Sequence, residues 1–182
     1  MSHASEPLLM QGWQARREHR LKDAKRYFTE AIELCRADGG LPLARALVAL
    51  GEIERNPEDR NLARQHYEEA IAIYRVVGDP GRVAHAVRHL GDICYEDGRP
   101  DLAEPCFHEA LALYRADPAT GKLDLANAIR SLAVLREEHG DPEEAAQLWQ
   151  EARELYEAVN VQEGVSESSA RLARIAGRRG LG

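Results

Sequence analysis

Hydrophobic residues recur along the chain at spacings of three and four, and the positions between them are mostly charged. The segments YEEAIAIYRVV, FHEALALYRA and WQEARELYEAV, which begin at Tyr67, Phe107 and Trp149, show this pattern clearly. Such spacing places the apolar side chains on one stripe of an α-helix, where they can be buried. No segment alternates between apolar and polar residues as a half-buried strand does. The chain is therefore predicted to be all-α.

The same helical sequence occurs four times, in steps of 39, 40 and 42 residues. Each copy contains an alanine, an aromatic residue and a second alanine, and these triplets are Ala24/Phe28/Ala31, Ala63/Tyr67/Ala70, Ala103/Phe107/Ala110 and Ala145/Trp149/Ala152. A small residue, which we call the anchor, stands twelve positions before each triplet, and the anchors are Gly12, Gly51, Gly91 and Ala133. Small residues allow two helices to approach closely, and aromatic side chains fill the space between neighbouring pairs. Each copy is therefore predicted to be a packed helix pair.

Turn-forming residues separate the predicted helices. In the last repeat Gly140 is placed to end one helix, Asp141 to cap the next and Pro142 to occupy its first position. A fifth, half-length copy follows, in which Leu172 and Ala173 match the leucine and the anchor of the fourth repeat. We predict one domain over residues 1–182, with repeats at about 6–39, 40–79, 80–121 and 122–161 and a closing helix at about 164–178.

This arrangement of anchors and triplets resembles the tetratricopeptide repeat, and the resemblance covers residues 8–176. It implies a right-handed α-solenoid of stacked antiparallel helix pairs, in which the first helix of each pair lines a concave groove. The period is longer than the usual one of about 34 residues and is similar to that of kinesin light chains and several bacterial regulators. Partners of this family usually dock in the groove as extended or helical segments. The resemblance therefore implies a non-catalytic protein-interaction module.

Composition and charge narrow the class of protein further. Of the 182 residues, 30% are charged and 44% are hydrophobic, and the net charge is −7, which is typical of a folded, helix-rich chain. An acidic balance disfavours general nucleic-acid binding, which requires a basic surface. The sequence has no stretch suited to a signal peptide or a membrane span, and its three cysteines lack metal-binding spacing. We therefore expect a cytoplasmic protein with reduced thiols, no cofactor, and no nucleic-acid or membrane partner.

The resemblance also indicates where a partner would dock. Side chains six and three residues before the anchor, and one, four and five after it, are expected to face the groove. In the second to fourth repeats these are Arg45, Val48, Glu52, Arg55 and Asn56, then His85, Arg88, Asp92, Tyr95 and Glu96, then Asn127, Arg130, Val134, Glu137 and Glu138. The predicted partner-binding set also includes His89 and consists of Arg45, Val48, Glu52, His85, Arg88, His89, Asp92, Asn127, Arg130 and Val134.

Charges on the predicted groove follow a pattern, with cationic or donor residues before the anchors and acids after them. Two interpretations are open. In the first, Arg45, Arg88 and Arg130 form a ladder that receives the carboxylates of an acidic peptide, because a guanidinium can grip a carboxylate through two hydrogen bonds. In the second, acids and bases on neighbouring first helices pair with each other, as Arg88 could pair with Glu52.

One histidine pair has the spacing of a helical metal site. His85 and His89 stand four residues apart on one predicted helix, and Asp92 follows three residues later, so all three share a face. The alternative is that the histidines hydrogen-bond a ligand in the groove, and we expect no metal. The sequence carries no P-loop, nucleophile elbow or HExxH motif, so we also expect no enzymatic activity.

Two functions from different classes agree with these patterns. The first is a scaffold or adaptor that holds a peptide segment or a partner protein, as a monomer or as a homodimer. The second is a bacterial regulatory sensor that binds a small signalling peptide. A sensor is expected to change its conformation on binding, whereas a scaffold is expected to move little.

Overall fold

The computed structural model describes residues 5–179, and within this range the chain forms nine α-helices and no β-strand. In chain order the helices are α1 (Ser5–Arg17), α2 (Leu21–Cys35), α3 (Gly40–Ile53), α4 (Arg60–Val77), α5 (Pro80–Glu96), α6 (Pro100–Ala116), α7 (Lys122–His139), α8 (Pro142–Ala158) and α9 (Gln162–Arg179). We call α1, α3, α5 and α7 the first helices and α2, α4, α6 and α8 the second helices. The predicted all-α fold of four helix pairs followed by a closing helix is confirmed.

Consecutive helices pack against each other where short connectors make the chain fold back between them. These contacts join α1 to α2, α2 to α3 and α3 to α4, and later α6 to α7, α7 to α8 and α8 to α9. First helices also meet directly, as α1 meets α3. The contacts divide the chain after Ile93 into two compact units, so that α5 begins in the first unit and ends in the second.

The core of each repeat is built by the residues that the sequence pattern identified. The aromatic residues of the four triplets are buried, and so are the alanines on either side of them. Two of the anchor glycines lie directly against these rings: a Cβ atom added to Gly12 would stand 2.5 Å from the Phe28 ring, and one added to Gly51 would stand 3.0 Å from the Tyr67 ring. At Gly12 and Gly51, absence of a side chain is therefore what allows the aromatic ring to pack this closely.

Helix ends follow the predicted turn chemistry. The Asp141 side chain accepts hydrogen bonds from the backbone N–H groups of Glu143 and Glu144 and so caps α8, whose first residue is Pro142. Gly78 ends α4 in the left-handed conformation with φ of 76°, which a residue with a side chain adopts only with strain. None of the helices between residues 5 and 179 combines the length and the apolar character that a bilayer span needs.

Candidate partner-binding surface

The predicted partner-binding residues lie on α3 and α5 in the first unit and on α7 in the second unit. Their side chains differ in solvent exposure. Val48 is buried in the core and offers a partner little surface. Exposed fractions of the side chains are 29% for Arg45 and 41% for Arg130, but only 12% for Arg88. A partner could therefore reach Arg45 and Arg130 more readily than Arg88.

Arg45 on α3 is held by two residues of α1. Its Nη1 atom lies 3.2 Å from the Glu6 carboxylate, and its guanidinium lies over the Trp13 ring, 4.6 Å from the centroid. Trp13 in turn meets Phe28 edge to face, with 6.1 Å between the ring centroids. A cation over an aromatic face is attracted by the ring quadrupole. The position of Arg45 is thus fixed by both a carboxylate and a ring.

Glu52 is the centre of a polar cluster between α3 and α5. It forms an ion pair with Arg16 of α1 through one carboxylate oxygen, and its other oxygen lies 3.3 Å from His85 Nε2 and 4.0 Å from His89 Nε2. The two imidazole rings meet edge to face, with 4.6 Å between their centroids. The His89 ring also stacks on the buried Tyr67 ring. The cluster therefore joins three first helices of the first unit.

Arg88 adds a second layer to this cluster. Its Nη1 atom lies 3.0 Å from Asp92, and its Nη2 atom donates to His89 Nε2 at 2.8 Å. Asp92 also lies 3.5 Å from His89 Nδ1, and Arg55 approaches the same carboxylate at 3.8 Å. The predicted pairing of Arg88 with Glu52 is thus replaced by a pairing with Asp92 on the same helix.

Burial, hydrogen bonds and neighbouring charges together set the charge states inside this cluster. Together with the positive charge of Arg88, it lowers the pKa of His89 to about 4, so this imidazole is uncharged at neutral pH. Burial raises the pKa of Glu52, but the hydrogen bond with His85 and the charge of Arg16 outweigh it and hold the pKa below its usual range. In the same way, contacts with His89 and Arg88 outweigh burial and lower the pKa of Asp92. Both acids are therefore ionised.

On α7 in the second unit, the predicted residues contact α8 and α9. Arg130 binds Glu167 of α9 through two hydrogen bonds, of 2.6 Å from Nε and 2.8 Å from Nη2. Asn127 accepts a hydrogen bond from the Tyr156 hydroxyl at 2.8 Å, and Val134 is half-buried. Asn127 is therefore engaged by a core tyrosine, whereas Arg130 holds a carboxylate near the surface.

The prediction that Glu137 faces an open groove is wrong. Its carboxylate is 1% exposed and accepts hydrogen bonds from Trp149 Nε1 at 3.1 Å and from Arg174 Nε at 2.8 Å, while Arg171 Nη1 lies 3.3 Å away. The neighbouring Glu138 is exposed and accepts from the Tyr95 hydroxyl. Glu137 is buried because the closing helix α9 covers it with two arginines.

Ion pairs between neighbouring first helices follow a rule of position. The residue four after one anchor pairs with the residue one after the next, as Arg16 does with Glu52 and Arg55 does with Asp92. In the second unit, Glu137 of α7 stands four residues after the anchor Ala133. It pairs with Arg174 of α9, which stands one residue after Ala173. Acids and bases on neighbouring helices therefore pair with each other, as the second interpretation of the charges expected, although through other residues than Arg88 and Glu52.

Each arginine of the predicted ladder therefore already forms an ion pair with a carboxylate of the chain itself. Arg45 holds Glu6, Arg88 holds Asp92 and Arg130 holds Glu167. Sequence analysis did not identify Glu6, Arg16 and Glu167. All three stand at counted positions, six before Gly12, four after Gly12 and six before Ala173. Extending the count to α1 and α9 would have found them.

Tandem helix pairs with glycine or alanine anchors and charged first helices define this chain as a helical-repeat protein. Residues 82–158 match the family model of the tetratricopeptide repeat. The resemblance predicted from the sequence is thereby confirmed, and residues 82–158 carry the tetratricopeptide-repeat pattern. Such repeats are in general non-catalytic interaction modules, so the match supports a scaffold for protein–protein interaction.

Solved structures share the fold over nearly the whole chain. BtubC (BKLC) from P. vanneervenii matches with a TM-score of 0.66 and 17% identity, over 93% of this chain and 78% of its own. A Rap protein in complex with competence and sporulation factor matches with a TM-score of 0.76 and 17% identity, over 95% of this chain. The chain spans only 48% of that Rap protein. No curated protein sequence matches this chain.

Proposed function

We propose that this chain is a non-catalytic scaffold that binds a peptide segment or a partner protein on the surface of its first helices. The family match supports the general role, and the distribution of charged side chains supports the surface. The observation on which the proposal rests is that Arg45 and Arg130 each hold a carboxylate from another helix in a partly exposed ion pair. Both residues are thus already positioned to bind a carboxylate.

Replacement of these carboxylates by those of a partner costs little free energy. Ion pairs at exposed positions contribute about 0–1 kcal/mol to stability, because water and salt screen them. In the first unit, a partner's Asp or Glu side chain can therefore replace Glu6 at Arg45. In the second unit, considered by itself, such a side chain can replace Glu167 at Arg130. Replacement at Arg88 costs more, because that side chain is largely buried with Asp92. We therefore assign the principal partner contacts to Arg45, His85 and Arg130, with a secondary role for Glu52, Arg88, His89, Asp92, Asn127 and Val134. The buried Val48 is not among them.

Charge reversal with matched controls tests this assignment. The first-helix variant is Arg45→Glu/Arg130→Glu. The control variant is Arg36→Glu/Arg115→Glu, whose arginines form ion pairs with Glu69 and Glu151 on the second helices and are more exposed than Arg45 and Arg130. Each variant is used to capture partners from native cell extract, after circular dichroism has shown that its helix content is retained.

Proteins captured by both the wild type and the control variant, but not by the first-helix variant, are the expected result. Equal capture by all three proteins would show that the first helices do not form the docking surface. Loss of capture by both variants alike would attribute the binding to net charge alone, which also contradicts the proposal.

A regulatory sensor is the second candidate. The specific observation in its favour is the shared fold with the Rap protein, which was solved in complex with competence and sporulation factor. Small-angle scattering distinguishes the two candidates once a captured partner segment has been identified. A sensor changes its radius of gyration when the segment binds, whereas a scaffold keeps the same radius within the error of the measurement.

A further inference from the structure

Glu52, His85 and His89 bring three potential metal-ligand atoms together in the first unit. One carboxylate oxygen and one ring nitrogen from each histidine lie within 4.8 Å of one another. Glu52 belongs to α3, and the two histidines belong to successive turns of α5, so the cluster connects two neighbouring first helices. Two imidazoles and one carboxylate form a donor set that suits zinc and related transition-metal ions.

The spacing of these atoms is close to that around a tetrahedral ion. Bonds of about 2.0–2.2 Å to zinc separate neighbouring ligand atoms by about 3.3 Å. His85 Nε2 already lies 3.3 Å from Glu52 Oε1, and His89 Nε2 lies 4.0 Å from the same oxygen. A movement of the His89 ring by less than about 1 Å therefore brings its Nε2 atom to this distance from Glu52. The ligand ring nitrogens of the two histidines already lie within 4.8 Å of each other.

Neighbouring groups hold two of the ligands in position. Asp92 Oδ2 lies 3.5 Å from His89 Nδ1, the nitrogen on the other side of the ring from Glu52. A carboxylate behind a histidine ligand orients the ring and strengthens it as a donor. Arg16 holds the second oxygen of Glu52. Among the described residues, the buried Tyr67 hydroxyl has no hydrogen-bond partner, although its ring stacks on His89.

Two arginines oppose a bound cation. Arg88 Nη2 donates to His89 Nε2, the nitrogen that would face the ion, and Arg16 carries a second positive charge beside Glu52. Arg88 can leave the imidazole and remain paired with Asp92, which lies 3.0 Å from its Nη1 atom. The ion therefore competes with a guanidinium for one ligand, and removal of that guanidinium should tighten binding.

We propose that Glu52, His85 and His89 form a binding site for zinc or a similar divalent transition-metal ion, with Asp92 as the positioning residue for His89. Three protein donors leave the fourth position of a tetrahedral ion to water or to a side chain of a docked partner. A bound ion ties α3 to α5. The site does not depend on the proposed docking function, because all of its protein ligands belong to the chain itself.

Calorimetric titration of the full chain, free of any histidine tag, with zinc chloride tests the site. The wild type is expected to bind one zinc ion. His85→Ala and Glu52→Gln are each expected to weaken binding at least tenfold, because each removes a ligand, and Asp92→Asn about tenfold. His108→Ala, which changes an exposed histidine on α6, is the matched control and leaves the affinity unchanged. Arg88→Gln increases the affinity.

Thermal denaturation with and without zinc gives an independent readout. Zinc raises the melting temperature of the wild type and of Arg88→Gln, but not that of His85→Ala. Circular dichroism without zinc separates the loss of a ligand from the loss of the fold. His85→Ala is the main variant because this side chain lies near the surface. Absence of zinc uptake by the wild type overturns the proposal, and so does stoichiometric binding that survives in both His85→Ala and Glu52→Gln.

Discussion

Within the helix pairs of the first unit, the tightest packing occurs where an anchor glycine faces an aromatic ring. Gly12 against Phe28 is the closer of the two contacts, and Gly51 against Tyr67 leaves slightly more room. This level of the structure is visible in the sequence, because anchors and triplets keep the same spacing in every repeat. Which residues form ion pairs with each other is harder to predict from the sequence. A long side chain can reach several acids, and only the packed helices decide which one lies nearest.

Substitution of the tightest anchor is expected to destabilise the chain. The added Cβ of Gly12→Ala would stand 2.5 Å from the Phe28 ring, so the ring must move, at a cost of about 1–3 kcal/mol in the free energy of unfolding. Urea unfolding followed by circular dichroism measures this change. Gly177→Ala is the control, because an added Cβ there has no atom within 4 Å. This variant should be neutral or slightly stabilising, and equal losses in both would contradict the packing argument.

Burial of Glu137 leads to a second prediction at this scale. Glu137→Ala leaves Arg171, Arg174 and the Trp149 N–H without their shared acceptor. Because both arginines are themselves partly exposed, the main cost is the unpaired Trp149 N–H, about 1–3 kcal/mol. The adjacent Glu138→Ala removes an exposed carboxylate and should cost less than about 1 kcal/mol. Similar unfolding free energies for the two variants would show that Glu137 is not the buried centre that the structure describes.

Neighbouring first helices are the next level of organisation, and ion pairs connect them. In the first unit the base stands on the earlier helix, as in Arg16 with Glu52, whereas in the second unit the acid does, as in Glu137 with Arg174. The helices themselves could be predicted from hydrophobic spacing and turn residues, and α9 begins within two residues of its expected start. The pairing of charged side chains could not be predicted from the sequence, because it depends on which helices become neighbours in the folded chain.

A double-mutant cycle on Arg130 and Glu167 measures one such pair. Both side chains remain partly exposed, so the coupling energy from Arg130→Ala, Glu167→Ala and the double variant should be about 0.2–1 kcal/mol. Urea unfolding of the four proteins gives this value. A coupling energy above about 2 kcal/mol would mean that Arg130 is committed to α9 and is not available to a partner.

For the whole chain, the sequence predicted the repeat architecture and the helical class, and the family match over residues 82–158 agrees with both. This prediction was possible because the four copies keep the same spacing, and similar helix pairs need small and aromatic residues at the same positions. The candidate surface was predicted only in part. Position along a first helix indicated that residues such as Arg45 and Arg130 lie near solvent. It did not indicate that they already form ion pairs with Glu6 and Glu167.

Hydroxyl-radical footprinting of the chain with and without a captured partner tests the central claim, docking on the first helices, most directly. The account predicts that a partner protects Trp13 and His85 where it docks on the first unit and Tyr95 where it docks on the second. It leaves Tyr27 and His108 on second helices as reactive as in the chain alone. Protection of Tyr27 and His108, with Trp13, His85 and Tyr95 unchanged, would contradict it.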